Sequence, residues 1–428
     1  MKGFRLPFGN ALTTAVVICF ALGAGQSSRT TKLGSAASRL VVAQHVENLD
    51  QLAREPSIVE HPDGTLFVSG YGRPVEGSSQ RVPRLWKSAD HGATWTRVNV
   101  GTEADGAVAN SDVSLAVAGD GTLYFATMEF DRNAGEGVHI VVGISKDRGA
   151  TWHWSMLSEK RFDDRPWVAV APDGTAHVIW NDGSGVYHSS TRDRGATWSA
   201  PQTIHAAGGS SDLAVGPSGQ VAVRIVPTSA GGVRFTEGTD LIAVSADGGA
   251  TWQKRSAPGE RDWAPAGTPG TVPRWVEPLT WDSTGALYSL WTNIRGIWLA
   301  RSLDSGVTWK TWRVAQIDEV SYFPYLTARG QGQLAATWFS GAGERLQWHV
   351  ARIYVHGSEA QPRIVEAPAL EAECWNAADA QGNAPVRDTG GEYLSALFLR
   401  DGDLAVVSPI QNPAAKRFGF VFWRFNGR

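Results

Sequence analysis

The sequence contains very little cysteine. Its 428 residues include two, Cys19 and Cys374, and Cys19 falls in an apolar N-terminal segment that we expect to be removed. The mature chain would then hold one cysteine and no intrachain disulfide, so its stability must come from a large core. The neighbours of Cys374 offer no obvious base, and we do not expect a catalytic thiol there.

Charge of one sign and cofactor motifs are also scarce. The formal net charge is −3, and no polybasic run indicates binding to nucleic acid or to an anionic membrane. The sequence has no His-x-x-Glu-His motif, no cysteine cluster and no Gly-rich phosphate loop, so it implies no cofactor and no metal. We expect neither nucleic acid as a partner nor insertion into a membrane, and we expect a monomer.

The N-terminus has the pattern of a secretory signal peptide. Lys2 and Arg5 precede an apolar run over 11–22, which is followed by small residues up to Gly25. This run is too short for a convincing membrane span. We therefore predict cleavage near Gly25 and secretion to an extracellular or periplasmic location.

One eight-residue repeat, the Asp box, occurs five times with the pattern Ser/Thr-x-Asp-x-Gly-x-Thr-Trp. Its Asp can accept hydrogen bonds from backbone N–H groups of its own turn, its Gly supplies a positive φ, and its Trp covers the hairpin. One active site does not need five copies, so we interpret these carboxylates as structural. The five copies are centred on Asp90, Asp147, Asp193, Asp247 and Asp304.

A second repeat, consisting of a strand, a tight turn and a strand, counts seven units. The seven turns end in Gly64, Gly121, Gly174, Gly219, Gly285, Gly332 and Gly402. The spacing of both repeats fits an all-β fold, a β-propeller of seven four-stranded blades. The last unit offers three strands, at 393–400, 404–408 and 418–425, and we predict that the lone strand 40–46 completes it. The alternative is a six-bladed ring with an additional C-terminal β unit, because 371–392 is irregular.

These features resemble the sialidase-like superfamily of Asp-box (BNR-repeat) propellers over nearly the whole mature chain. The domains predicted are a signal peptide at 1–25, a flexible linker at 26–39 and a single propeller at 40–428. The superfamily includes sialidases, other glycan-active enzymes and non-enzymatic propellers. In sialidases the Asp boxes lie away from the active site, which is formed where the innermost strands approach the central axis.

The resemblance implies several site residues on the first three inner strands. Arg54-Glu55-Pro56 stands where sialidases have an Arg-Ile-Pro motif, whose Arg binds the substrate carboxylate. Asp112 matches the position of the acid/base Asp, and Arg165 would supply a second carboxylate contact, with Asp163 or Asp164 holding it or transferring a proton. The structural alternatives are a solvated Arg54 and an Arg–Asp brace between blades.

Further candidates lie in the fifth and sixth units. By the resemblance, Tyr325 would be the nucleophile and Glu277 the base that activates it, with Tyr322 as the alternative nucleophile. Arg274 would contact the anion, and Tyr322 would otherwise bind the substrate. The alternatives are a charged strand end facing solvent and tyrosines that line the channel or core. Three features depart from sialidases: the strand after Glu277 ends without an arginine, the sixth unit lacks the expected glutamate, and the repeat counts seven units whereas familiar sialidases have six blades.

Three functions therefore remain open. The first is a secreted exo-α-sialidase-type glycosidase that acts on the anionic sugar of a glycan or glycoconjugate. The second is a polysaccharide lyase acting on a uronate-containing glycan, with His177 and His188 as candidates for proton transfer. The third is a non-catalytic propeller that binds a glycan or protein through its loops at 101–109, 259–273 and 371–392.

Overall fold

The computed structural model describes residues 39–72, 81–226, 240–259, 277–293, 296–317, 321–342, 345–357, 361–371, 375–376, 387–388, 395–412 and 415–427. The predicted signal peptide and nearly all of the predicted linker lie outside these ranges, and both remain predictions. No helix within the described ranges has the length and apolar character needed to cross a bilayer.

The described strands form seven four-stranded antiparallel sheets, one for each blade of a β-propeller. The strand that precedes the blades is β1 (Val42–Asn48). Blade 1 contains β2 (Arg54–Glu60), β3 (Leu66–Tyr71), β4 (Arg84–Ser88) and β5 (Thr96–Arg97). Blade 2 follows a 3-10 turn (Glu103–Asp105) and contains β6 (Val113–Val117), β7 (Leu123–Asp131), β8 (Glu136–Ser145) and β9 (His153–Ser158).

The next three blades repeat this order. Blade 3 contains β10 (Asp164–Val170), β11 (Ala176–Asn181), β12 (Val186–Thr191) and β13 (Gln202–His205). Blade 4 contains β14 (Gly209–Val215), β15 (Val221–Val226), β16 (Leu241–Ser245) and β17 (Gln253–Ser256). Blade 5 contains β18 (Leu279–Trp281), β19 (Leu287–Thr292), β20 (Gly296–Ser302) and β21 (Lys310–Gln316).

Blade 6 carries one additional short strand, and a two-stranded ribbon lies between it and blade 7 in the sequence. Blade 6 contains β22 (Ser321–Arg329), β23 (Gln333–Ala342), β24 (Arg345–Tyr354) and β25 (Arg363–Glu366), and the short β26 (Leu370–Glu371) also pairs with β24. A two-stranded ribbon follows, formed by β27 (Trp375–Asn376) and β28 (Arg387–Asp388). Blade 7 contains β29 (Ala396–Phe398), β30 (Leu404–Asn412), β31 (Arg417–Phe425) and, from the start of the chain, β1.

The closure of the ring confirms the prediction of seven blades. Strand β1 pairs antiparallel with β31, from Val42 opposite Phe425 to Asn48 opposite Phe420. The first strands of successive blades contact one another around the ring, from β2 to β29 and back to β2. These seven strands are therefore the innermost ones, and the edge of β31 is covered rather than exposed.

The Asp boxes are hairpin turns that hold themselves together, as predicted. In blade 1, Asp90 accepts hydrogen bonds from the backbone N–H of Thr94 at 2.9 Å and from the Thr94 hydroxyl at 2.6 Å, and the Ser88 hydroxyl donates to Asp90 at 2.7 Å. Gly92 has a φ of 90°, and its neighbour His91 also has a positive φ of 59°. The turn therefore requires two consecutive left-handed residues, whereas the sequence argument required one.

The core consists of apolar layers between neighbouring blades. Between blades 7 and 1, Trp95 of the first Asp box packs edge-on against Phe420 at a centroid distance of 5.2 Å and against Phe422 at 5.4 Å. The box thus covers the preceding blade as well as its own hairpin. This packing joins neighbouring blades and brings the inner strands together around the axis.

Candidate functional site

In six of the seven blades, the same repeat position, in or directly before the inner strand, lines a cavity on the central axis. In every blade this residue lies seven places before the Gly of the strand turn. The seven residues are Ser57, Ser114, Trp167, Asp212, Pro278, Tyr325 and Ser395. All of them except Pro278 line a cavity of about 80 Å³ on the axis. We call these residues the axial ring.

Part of the axial ring connects neighbouring blades. The hydroxyls of Ser395 and Ser114 accept hydrogen bonds from backbone N–H groups on the next inner strand, at 3.3 and 3.2 Å respectively. Asp212 does the same, because its Oδ2 accepts from the N–H of Leu279 at 2.6 Å. These side chains therefore have a structural role whatever else they do.

Asp212 and Tyr325 form the polar, titratable part of the axial ring. Burial raises the pKa of Asp212 to about 7, although the backbone N–H groups of Leu279 and Leu213 donate to its carboxylate. Burial, followed by the charge of Asp212, raises the pKa of Tyr325 to about 12, and a hydrogen bond with Ser395 acts in the opposite direction. Tyr325 is therefore a neutral phenol at pH 7, beside a carboxyl group able to exchange a proton.

Above the axial ring, three inner strands begin with a β-bulge that ends in proline. The register shifts between Arg54 and Ser57, between Asp164 and Trp167, and between Tyr322 and Tyr325. The middle residues of these bulges are Glu55, Arg165 and Phe323, with φ of 48°, 55° and 49°. Proline cannot donate to the ladder and fits a bulge. A positive φ at bulky residues is rare and is often found at functional sites.

Arg54 adjoins Glu55, which lines the axial cavity, and it belongs to a charged cluster that we call the entrance, formed by Arg54, Asp112, Asp164 and Arg165. Its Nη1 donates to Oε1 of Gln411 at 2.9 Å, and its guanidinium lies 5.9 Å from the ring centre of Tyr71. Burial, Glu55 and Asp112 together hold the pKa of the Tyr71 phenol well above its usual range, while Arg54 acts against them. These four side chains are therefore close enough to influence one another.

Asp112 and Asp164 form a pair of carboxyl groups at the same entrance. Burial, followed by the charge of Asp112, raises the pKa of Asp164 to about 7, while Arg165 acts to lower it. The Nε of Arg165 lies 3.6 Å from Oδ2 of Asp164, and the Arg165 side chain is 5% exposed whereas that of Asp164 is 28% exposed. The Ser111 hydroxyl donates to Asp112 at 3.1 Å.

Asp163, the neighbour of Asp164, has a different role. It is fully buried and accepts hydrogen bonds from the Ser158 hydroxyl and the Lys160 N–H, both at 2.9 Å. Burial raises its pKa to about 6. The sequence left open which of the two carboxylates faces the entrance, and the structure places Asp164 there and Asp163 inside the turn.

Comparison with known proteins identifies the family. Residues 26–336 match the model of the BNR repeat-like domain, which is well over half of the chain. The chain belongs to this family. It is therefore a BNR-repeat propeller, in agreement with the resemblance inferred from the Asp boxes.

Solved structures resemble this chain at low sequence identity, and the first two named below share its fold. A protein of unknown function from Dyadobacter fermentans is 13% identical, with 91% of this chain and 99% of that chain covered and a TM-score of 0.50. A polysaccharide lyase of family PL25, an ulvan lyase, is 12% identical, with coverage of 90% and 96% and a TM-score of 0.54. A Hadza microbial sialidase is 18% identical, with coverage of 74% and 65% and a TM-score of 0.44. No curated protein matches the sequence.

The remaining site candidates of this BNR-repeat propeller are only partly described. Glu277 has no accessible surface, and its backbone N–H donates to the Ser211 hydroxyl at 2.6 Å. Arg274 lies outside the described residues, and the side chain of Tyr322 is not described. The proposed role of Glu277 stays a prediction. The carboxyl group that the structure places beside Tyr325 is that of Asp212, which the sequence argument missed.

The two histidines considered for lyase chemistry lie within the sheet of blade 3. Nδ1 of His177 is 3.0 Å from Nε2 of His188, the rings are stacked, and His188 also packs against Trp252. Burial lowers the pKa of His177 to about 4 and that of His188 to about 3. Neither lines the axial cavity. Among the described residues, no group of three or more His, Cys, Asp or Glu side chains could hold a metal ion.

Proposed function

We propose that this propeller is a glycan-active hydrolase that cleaves the glycosidic bond of an anionic sugar, with an α-sialoside as the first substrate to test. The observation that carries the proposal is the pair of carboxyl groups on Asp112 and Asp164. Each end of the pair has an arginine nearby. Arg54 begins the inner strand of blade 1, and Arg165 follows Asp164 in the inner strand of blade 3.

The two carboxyl groups suit different roles. A pKa of about 7 leaves a large fraction of Asp164 protonated near neutrality, so it can donate a proton to the leaving glycosidic oxygen. Asp112, whose negative charge helps to raise that pKa, would stabilise positive charge at the anomeric carbon or activate water. A pair of carboxyl groups divided in this way is the usual requirement for glycoside hydrolysis.

The arginines suit recognition of an acidic sugar. A guanidinium is always charged and can bind a carboxylate through two parallel hydrogen bonds. We propose Arg54 and Arg165 as contacts to the substrate carboxylate, with Arg274 as a third contact. Arg165 would have to shift its interaction from Asp164 to the substrate, which would raise the pKa of Asp164 further.

Tyr325 offers a second mechanism at the same site. A phenol can attack the anomeric carbon if a carboxylate accepts its proton, and the candidates for that base are Asp212 in the axial ring and Glu277. A Tyr325→Phe variant distinguishes the two mechanisms. If Tyr325 is the nucleophile, the variant loses turnover; if Asp112 carries the chemistry, it keeps most of the activity.

The test is turnover of a fluorogenic α-sialoside by the purified protein, alongside Asp164→Asn, Asp112→Asn and Arg54→Ala. We expect the two carboxyl variants to lower kcat by about 100-fold or more and Arg54→Ala to raise KM. Asp120→Asn is the matched control, because Asp120 lies at the far end of the same hairpin as Asp112 and should leave kcat within about twofold.

Two outcomes would overturn the proposal. The first is full activity of Asp164→Asn. The second is a folded wild-type protein that cleaves neither the α-sialoside nor glycosides of uronic acids. An unsaturated uronate product from a uronate polysaccharide would instead indicate a lyase, and binding without any turnover would indicate a non-catalytic propeller.

We also propose that residues 1–25 direct secretion, because they combine a basic start with a short apolar run. N-terminal sequencing of protein recovered outside the cytoplasm should show a first residue near Gln26. Recovery of the intact N-terminus would contradict this.

A further inference from the structure

A second cavity lies on the other side of the propeller, between the Asp boxes of blades 2 and 3. We call it the box groove. Its volume is about 380 Å³, and it is lined by Lys146, Trp152 and His153 on blade 2 and by Arg194 and Ala196 on blade 3. A volume of this size is within the range of small-ligand sites.

The box groove is remote from the entrance. Asp112 lies level with Met128 and Ile140, because the Met128 N–H donates to the Asp112 carbonyl and Met128 pairs with Ile140. Lys146 follows the end of β8, more than five residues further along the strand. The lining residue nearest to that level is Ile144, four residues from Ile140, so at about 3.3 Å per residue the groove lies at least roughly 13 Å from the level of Asp112.

The groove combines an aromatic surface with exposed cations. Trp152 stacks on the buried Trp154 at a centroid distance of 6.0 Å and is itself half-buried at the groove. Lys146 and His153 are exposed, and the side chain of Arg194 is 61% exposed. Among the described residues that line the groove, none is acidic.

The nearby carboxylates are already engaged. Asp147 and Asp193 accept hydrogen bonds from Thr151 and Thr197 within their own boxes. Oδ2 of Asp120 lies 3.1 Å from Nε of Arg194. A ligand would therefore bind the two terminal nitrogens of that guanidinium. These three carboxylates remain charged but do not line the groove, so the charged side chains that a ligand would meet in the groove are Lys146 and Arg194, beside the indole of Trp152.

The corresponding place between blades 1 and 2 has a different composition. Arg148 takes the position of Arg194 and pairs with Asp63 at 3.3 Å, as Arg194 pairs with Asp120. However, Ala89 stands at the position of Lys146 and Thr96 at that of His153. The fold of the repeat therefore requires neither Lys146 nor His153, although the Asp box of blade 3 also has a cation, Arg192, at the position of Lys146.

We propose that the box groove is an accessory site for an anionic oligosaccharide, with the sugar ring against Trp152 and its carboxylate held by Lys146 and Arg194. Aromatic rings offer an apolar face to sugars, and the two cations select the acidic group. The inference does not depend on the proposed hydrolase, because binding here needs no turnover and uses none of the entrance residues.

The test uses the full-length mature protein with Asp164→Asn, so that no probe is consumed. The probes are 3′-sialyllactose and digalacturonate, which distinguish the two sources of a sugar carboxylate, and lactose is the neutral control. We expect at least one acidic probe to slow amide hydrogen exchange in peptides covering 144–153 and 192–197. Calorimetry should then show that Lys146→Ala and Arg194→Ala each weaken binding about fivefold or more.

Arg148→Ala is the matched control, because it removes the same charge from the same position of the neighbouring box. It should change binding less than twofold. Ala196→Glu gives an independent test, since it places a carboxylate in the groove without removing a packed side chain, and it should abolish the protection.

Several results would overturn the inference: protection confined to the entrance, equal binding of lactose, or an equal loss with Arg148→Ala. Failure of both acidic probes to bind at millimolar concentration would do the same, and so would protection by duplex DNA alone.

Discussion

At the scale of single residues, Asp164 carries the account of the entrance. The sequence identified a charged cluster over 163–165 but left open which carboxylate faces the entrance. The bulge before Pro166 decides this, because it changes the direction of successive side chains and gives Arg165 a φ of 55°. A bulge is fixed by pairing with the neighbouring strand, so a linear pattern cannot specify it.

Asp164 also makes a prediction about stability. Its pKa is raised from 3.8 to about 7 in the folded state. Unfolding between pH 4 and pH 7 therefore releases a proton, and the contribution of Asp164 to the free energy of unfolding falls as the pH rises through this range. The full pKa shift would change the free energy of unfolding by about 4 kcal/mol. We expect about half of this change, because the Asp164 side chain is partly exposed to solvent.

The measurement is the free energy of unfolding of the wild type and of Asp164→Asn between pH 4 and 8. The buried histidines His177, His188 and His349 titrate in the opposite sense, since their pKa values are lowered and their stabilisation is lost as pH falls. Only the difference between the two proteins isolates Asp164. The wild type should lose about 2 kcal/mol relative to the variant on going from pH 4 to 8, and a constant difference would contradict the assignment.

At the scale of elements, the hairpins were the most predictable part. The Asp boxes and strand turns carry their own hydrogen bonds and glycines, so local sequence determines them. The axial position of Asp212 was missed, although counting seven residues back from Gly219 finds it. Sequence reasoning instead matched family motifs, and blade 4 has no such motif at this point.

Two glycines with the same backbone conformation test the packing of the Asp box. Gly64 and Gly92 both have a φ of +90°, but a Cβ at Gly64 would meet nothing within 4 Å, whereas one at Gly92 would lie 2.3 Å from the ring of Phe422. Gly64→Ala should cost about 1 kcal/mol from backbone strain alone. Gly92→Ala should cost at least about 2 kcal/mol more, because the box must also move away from blade 7.

Urea unfolding of the two glycine variants measures the difference directly. Equal losses would mean that the contact between the first Asp box and blade 7 contributes nothing beyond the conformation of the turn.

At the scale of the whole molecule, the number of blades was predictable and the contents of the axis were not. Seven strand turns and one unpaired N-terminal strand were sufficient to predict seven blades and their closure. The residues that meet at the axis come from positions far apart in sequence, such as Asp212 and Tyr325. Their proximity follows from the closed ring and from no local pattern.

Closure by β1 gives a prediction for the ring as a whole. Removing the residues before Leu49 would leave the edge of β31 unpaired, since β1 covers it from Phe420 to Phe425. We expect a lower Tm and aggregation through the open edge. A synthetic peptide with the sequence of 40–48, added in trans, should restore most of the lost stability. A truncated protein that unfolds like the wild type would show that β1 does not close the ring in solution.

The central claim is that Asp164 acts as a general acid at an anionic-glycan site, and the pH profile of kcat/KM on a fluorogenic α-sialoside tests it most directly. A general acid must be protonated, so kcat/KM should fall as pH rises through about 7, and Asp164→Asn should abolish this limb together with most of the activity. Turnover that keeps the same descending limb in Asp164→Asn would contradict the account.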